Sequence, residues 1–226
     1  MPFRPTETMG KRFDLLVFDW DGTVVDSAGH ITQSLQSAAA DLNLPVPSEE
    51  RARHIIGLGL VDALTYLFPE LPTEKYPELA ERYRQHYMAG DHRVQLFGGA
   101  YDSLLAFRDA GFRLAVATGK ARRGLDRALQ ATRMASMFHA SRCADEGMPK
   151  PHPDMLLYLI AAMGVEPTRT LMIGDTTHDL LMARKAGVAA AAVAYGAHPR
   201  ELLMEQNPLA CFSSFAELAQ WVAANA

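Results

Sequence analysis

Five short apolar runs, alternating with amphipathic stretches that stop on glycine, restrict this chain to a narrow set of folds. Residues 13–18 (FDLLVF) close on Asp-Trp-Asp-Gly-Thr, and 113–117 (RLAVA) leave into Thr-Gly-Lys. Residues 138–142 precede a loop through Gly147 to Pro153, 170–173 (TLMI) lead into Gly-Asp-Thr-Thr, and 188–194 make an alanine-rich fifth run. Short apolar runs with polar exits read as strands buried on both faces. The stretches 103–111, 124–131, 153–163 and 177–186 carry helical spacing, and Gly111, Gly164 and Gly187 supply C-terminal stops. Strand–helix alternation of this kind predicts a parallel sheet covered by helices on both faces.

Residues 27–94 break the alternation. Ile31, Leu35, Ala39 and Leu42 share one helical face, 61–67 and 74–87 repeat the pattern, and no stretch there resembles a strand. The segment is too long for a bare loop. It reads as an all-helical insertion after the first strand, leaving 1–26 and 95–226 as the sheet unit. Residues 1–12 carry two prolines and no apolar run, and are expected to be a frayed leader rather than a signal or anchor.

Composition narrows the function classes. Apolar residues make up 49% of the chain and charged residues 21%, as in soluble globular proteins. A formal charge of −4, with no basic stripe, argues against a nucleic-acid partner. No run approaches the ~18–20 apolar residues of a membrane span. Cys143 and Cys211 lack CxxC partners, which suits a reducing compartment, gives no zinc site and makes them small buried hydrophobes. His54, His86, His92 and His152 show no metal-ligand spacing. A cytoplasmic protein, monomeric or weakly dimeric, is expected.

The polar clusters at the strand exits carry the chemistry. Ligands of open parallel sheets lie beyond the carboxyl ends of the strands. There the chain places Asp19 with Asp21, Thr118 with Lys120, Lys150, and Asp175 with Asp179. Carboxylates gathered at one spot repel unless a cation neutralises them. Oxygen ligands without thiolates select a hard ion, and Mg²⁺ is the usual choice where a phosphate completes its shell. A lysine and a threonine hydroxyl opposite would hold phosphate oxygens, and glycines such as Gly22 and Gly174 allow the backbone close approach.

The segment from Asp19 to Ser27, Thr118, Lys150 within Lys-Pro-His-Pro, and the segment from Gly174 to Asp179 resemble the four motifs of the haloacid dehalogenase superfamily. The helical insertion after the first motif is similar to its phosphoglycolate-phosphatase-like branch with a small helical cap. The resemblance implies a Rossmann-like doubly wound core and a Mg²⁺-dependent phosphatase acting on a small phosphorylated metabolite, with phosphoglycolate or a sugar phosphate as first candidates. It makes Asp19 the nucleophile, and Asp21 the acid for the leaving alcohol and then the base for water. It assigns Mg²⁺ to the Asp19 carboxylate, the Asp21 carbonyl and Asp175, with Asp179 orienting a bound water or pairing with Lys150. Gly22, Thr118, the Gly119 backbone and Lys150 would face the phosphoryl oxygens. The Gly57-Leu58-Gly59 turn is expected to face the leaving group.

Departures and rivals are also legible. Trp20 stands where relatives usually carry a smaller residue and reads as packing, with entrance shaping as the alternative. His178 is expected to face solvent or lie behind the ligands. Dehalogenases of the superfamily lack a second aspartate, so Asp21 favours phosphate-ester chemistry. A phosphosugar mutase on the same residues, or a non-catalytic phospho-ligand module, is the alternative.

Overall fold

The computed structural model describes residues 11–91 and 94–226. Most of the expected leader, and His92, lie outside the described residues. Six strands form one parallel sheet in the order β5-β4-β1-β6-β7-β8. They are β1 (Leu15–Phe18), β4 (Arg113–Thr118), β5 (Ala140–Cys143), β6 (Thr170–Gly174), β7 (Ala189–Val193) and β8 (Cys211–Phe212). The chain starts in the middle, with Leu15 opposite both Arg113 and Thr170. Winding outward to one side and then the other puts the change of direction at β1, where a doubly wound sheet opens its ligand crevice.

Strand alternation divides the core between the two faces. Leu16 and Phe18 join Leu114, Val116, Leu171 and Ile173 beneath α5 (Ala100–Asp109), α6 (Arg122–Ala131) and α10 (Phe215–Asn225). Leu15 and Val17 join Ala115, Ala117 and Met172 beneath α7 (Asp154–Met163) and α8 (Thr177–Lys185). Every residue of β1 is therefore buried, which explains its unbroken apolar spelling. Trp20 packs into the first cluster, edge-on to Phe138 with ring centroids 6.2 Å apart. The third strand starts two residues later than the apolar run suggested, because Phe138 turns against that cluster and the His139 N–H reaches the Leu114 carbonyl at 2.8 Å. Cys143 is buried, whereas Cys211 is only partly so.

Between β1 and β4 the chain forms α1 (Ala28–Asp41), α2 (Glu49–His54), α3 (Leu60–Leu67) and α4 (Tyr76–Gly90). These helices enclose an apolar cluster including Ile31, Leu35, Ile55, Leu64, Leu67 and Leu79. At the entry and exit of this region a two-residue antiparallel pair joins β2 (Val25–Asp26) to β3 (Gln95–Leu96). Among the described residues, no helix is long and apolar enough to cross a membrane.

Candidate active site

β1 ends at Phe18, and its ladder continues one step as the Asp19 N–H donates to the Ile173 carbonyl at 2.9 Å. Asp19 thus lies at the carboxyl edge between β4 and β6. The turn after it returns Val25 toward Asp21 and puts Gly22 at φ +84°. A Cβ on Gly22 would sit 2.1 Å from Asp175 Oδ2, so only glycine permits this approach.

Lys150, from the loop after β5, sits between two carboxylates, its Nζ 2.5 Å from Asp19 Oδ1 and 2.6 Å from Asp179 Oδ1. Asp175, directly after β6, accepts from Thr23 Oγ1 at 2.8 Å and from the Ala197 N–H at 2.7 Å. Asp179, in the first turn of α8, accepts through Oδ2 from the Thr176 N–H and hydroxyl at 3.1 and 2.7 Å. Thr176 returns a bond to the Asp179 N–H, completing a reciprocal helix cap. All four ionisable side chains are buried, and one lysine faces three carboxylates.

That imbalance governs the electrostatics. Burial, then Asp179 and Asp175, push Asp19 far above the ordinary carboxylate range against the pull of Lys150. Burial and Asp179 likewise raise Asp175. Burial pulls Lys150 down, but Asp179 and Asp19 outweigh it and hold the ammonium charged. Oxygens of Asp19, Asp175 and Asp179 lie within 4.8 Å of one another, and buried Asp19 Oδ2 has no hydrogen-bond partner. A cluster of hard oxygens with excess negative charge and an unpartnered atom fits a divalent cation such as Mg²⁺.

Asp21 stands apart from that cluster. Its Oδ1 accepts from Ser27 Oγ at 2.7 Å and pairs with Lys120 Nζ at 3.0 Å. Thr118 is fully buried, its Oγ1 accepts from the Lys120 N–H at 3.1 Å, and no described residue takes its hydroxyl proton. The Gly57–Gly59 turn closes over the edge. A Cβ on Gly119 would meet the Gly57 and Leu58 carbonyl oxygens at 2.6 and 2.7 Å, and one on Gly59 would meet Pro149 at 3.0 Å. The structure therefore brings Asp19, Gly22, Thr118, Gly119, Lys150, Asp175 and Asp179 to one edge, with Gly57 and Gly59 against it.

Sequence reasoning missed several contributors. Ser27, Thr23 and the Ala197 N–H hold Asp21 or Asp175, and Lys120 received no role. His178 does not face solvent: it is buried, with Nε2 bonded to the His54 carbonyl at 2.7 Å, because the end of α2 covers the first turn of α8.

A family model described as haloacid dehalogenase-like hydrolase matches residues 16–193. The chain is 34% identical to a protein named probable phosphatase IndB from Dickeya dadantii, covering 90% of this chain and 91% of that one. It is 31% identical to a phosphoglycolate phosphatase from Haemophilus influenzae, over 93% of this chain and 98% of the other. A crystal structure of a predicted phosphoglycolate phosphatase from Haemophilus somnus superposes with a TM-score of 0.82 at 26% identity, covering 93% and 98% of the two chains.

Proposed function

Since the chain belongs to the haloacid dehalogenase-like hydrolase family and is a phosphatase of that family, we propose that it hydrolyses a small phosphorylated metabolite through a phosphoryl group carried on Asp19. The supporting observation is the convergence of Asp19, Asp175 and Asp179 around an unpartnered Asp19 oxygen, with Lys150 paired to two of the three carboxylates. Asp19, Asp175 and the Asp21 carbonyl would hold Mg²⁺, with Asp179 tied to Lys150 beside it. The ion supplies positive charge that offsets the clustered carboxylates and the incoming phosphate.

Asp19 attacks phosphorus, and the bond from phosphorus to the leaving oxygen breaks. Asp21 in its acid form gives that oxygen a proton through Oδ2, since Oδ1 is occupied by Ser27 and Lys120. The resulting Asp21 carboxylate then takes a proton from water, whose oxygen attacks the phosphoryl group. Asp19 is released as a carboxylate with inorganic phosphate. Thr118, the Gly119 N–H and Lys150 stabilise charge on the transferring oxygens. The chain units 1–26 with 95–226 and 27–94 divide this work, the first supplying chemistry and the second enclosing the leaving group. Phosphoglycolate leads the candidate substrates because a relative bears that name.

The test is phosphate release from p-nitrophenyl phosphate in chelator and after adding Mg²⁺ or Ca²⁺, with acid trapping of phosphoprotein. Activity should vanish in chelator, return with Mg²⁺ and stay low with Ca²⁺, whose longer, more numerous bonds misalign Asp19. Full turnover in chelator would overturn the metal's role, and absence of phosphoprotein in every quench would overturn the intermediate.

A further inference from the structure

Lys120 is a largely buried cation at the boundary between the sheet edge and the helical region, with a side chain 12% exposed. The residue follows the Thr118-Gly119 exit of β4 and spans two elements. Its Nζ pairs with Asp21 Oδ1 at 3.0 Å and donates to the Tyr87 hydroxyl of α4 at 3.1 Å, lying 4.7 Å from that ring's centroid. Tyr87 is itself fixed. His30 of α1 donates to its carbonyl at 2.7 Å, and the His30 and Tyr83 rings lie 4.8 and 5.9 Å from its own.

Lys120 and Tyr87 each keep one donor that no described residue takes. An ammonium carries three N–H groups, and two are accounted for among the described residues. The Tyr87 hydroxyl accepts from Lys120, so its own proton remains available, and no described residue takes it. Asp21 is gripped through Oδ1, which leaves Oδ2 to serve the leaving oxygen in the proposed mechanism, and both available donors belong to groups linked to that same carboxylate, Lys120 directly and Tyr87 through Lys120. Desolvated donors next to a cation select an acceptor with negative charge, and they reject a neutral group of equal size.

We propose that Lys120 and Tyr87 form a subsite for an anionic substituent on the leaving group, a carboxylate or a second phosphate. The assignment rests on the phosphatase reading and deepens it. It favours acid-bearing phosphate esters over esters of neutral sugars, and it makes Lys120 a binding residue for the leaving group as well as a positioning residue for Asp21.

The test measures kcat/KM, with Mg²⁺, for two matched pairs. They are 2-phosphoglycolate against phosphoglycolamide, and ethylene glycol bisphosphate against its monophosphate. The wild type should prefer the charged member of one pair by roughly ten- to a hundredfold, as expected for a desolvated charged hydrogen bond. Preference in the first pair identifies a carboxylate, and in the second a phosphate. Lys120→Met should bring that ratio close to one, whatever happens to absolute rates through Asp21. Tyr87→Phe, which deletes one hydroxyl, should reduce it several-fold with an unchanged unfolding transition. Equal rates within both pairs, or a preference that survives Lys120→Met, would overturn the subsite. Turnover of p-nitrophenyl phosphate alongside such a result leaves the phosphatase standing. Failure of every ester including that one defeats the phosphatase reading, and the subsite falls with it.

Discussion

At the sheet edge, Asp19, Lys150, Asp175 and Asp179 are buried side chains that hold one another or are held by Thr23, Thr176 and Ala197. Across from them, the Gly57–Gly59 turn is a backbone surface, contributing carbonyls near Gly119 and no charged group. The difference lies in how each region responds to change. Removing one member of a buried charge cluster strands its partners without water or counter-charge, which is costly. Altering the turn shifts a contact by a fraction of an ångström and leaves the charge balance intact. On the proposed reading, chemistry belongs to the first region, and the second shares discrimination between leaving groups with Lys120 and Tyr87.

The largest effect that can break this division is at Asp19. Asp19→Asn keeps size and shape, but an amide does not attack phosphorus. Turnover of p-nitrophenyl phosphate should fall below about a hundredth of wild type, while a cooperative unfolding transition persists. Loss of even one acid–base group costs ~10²–10⁴-fold, so a variant retaining more than that hundredth would remove Asp19 as nucleophile.

A smaller effect sharpens the other half. In Gly59→Ala the new Cβ meets Pro149 at 3.0 Å, so the turn must back away by a few tenths of an ångström. The value of kcat/KM for 2-phosphoglycolate should fall about tenfold, the lower end of what one or two lost contacts cost (roughly 1–3 kcal/mol). Hydrolysis of p-nitrophenyl phosphate should change much less, because its leaving group needs little help. Equal losses on both esters would show that the displacement reaches Lys150 through Pro149, and the separation of roles would fail at this turn.

The two regions also differ in how much of them can be read in advance. Asp19, Thr118 and Asp175 are legible because each ends an apolar run, and a strand exit is a local feature. Their neighbours are not. Thr23 on Asp175 and the Gly196-Ala197 loop against Asp175 depend on which strands lie side by side, and only the order β1-β6-β7 fixes that, while Ser27 reaches Asp21 through the fold of the turn between them. The pairs β2–β3 and the short β8 escape notice because two residues carry no period. Of the two places expected for His178, facing solvent or behind the ligands, the packing of α2 over the first turn of α8 removes the first. Lys120 is legible as part of the polar exit of β4, but its partner Tyr87, distant in sequence, arrives from α4 and cannot be read from that exit. Pattern reveals what one element does, and partnership between elements needs the topology.

The smallest expected effect concerns the seam between the regions, where His54 of α2 meets His178 and His198. Both of the latter bond through Nε2 to the His54 carbonyl, at 2.7 and 3.1 Å, and the His198 ring stacks on that of His54 at 5.2 Å. His198 Nδ1 accepts from the Thr177 N–H at 3.1 Å, so its proton belongs on Nε2 and the imidazole is neutral. Burial, reinforced by His178, lowers its pKa to about 4. The unfolded chain takes up that proton near pH 6.5. Between pH 6.5 and 4 the unfolded state therefore binds more protons, so this residue lowers stability as pH falls through the window. Below the folded pKa both states are protonated and the loss levels off; above 6.5 both are neutral and nothing changes. His198→Asn offers Oδ1 to the same Thr177 N–H and removes the titration. In urea unfolding with Mg²⁺ across that window, its stability should fall less steeply than wild type, by up to one proton or about 1.4 kcal/mol per pH unit. Parallel slopes would mean that His198 takes its proton in the folded protein at ordinary pH, and the seam would then open in mild acid without unfolding the sheet.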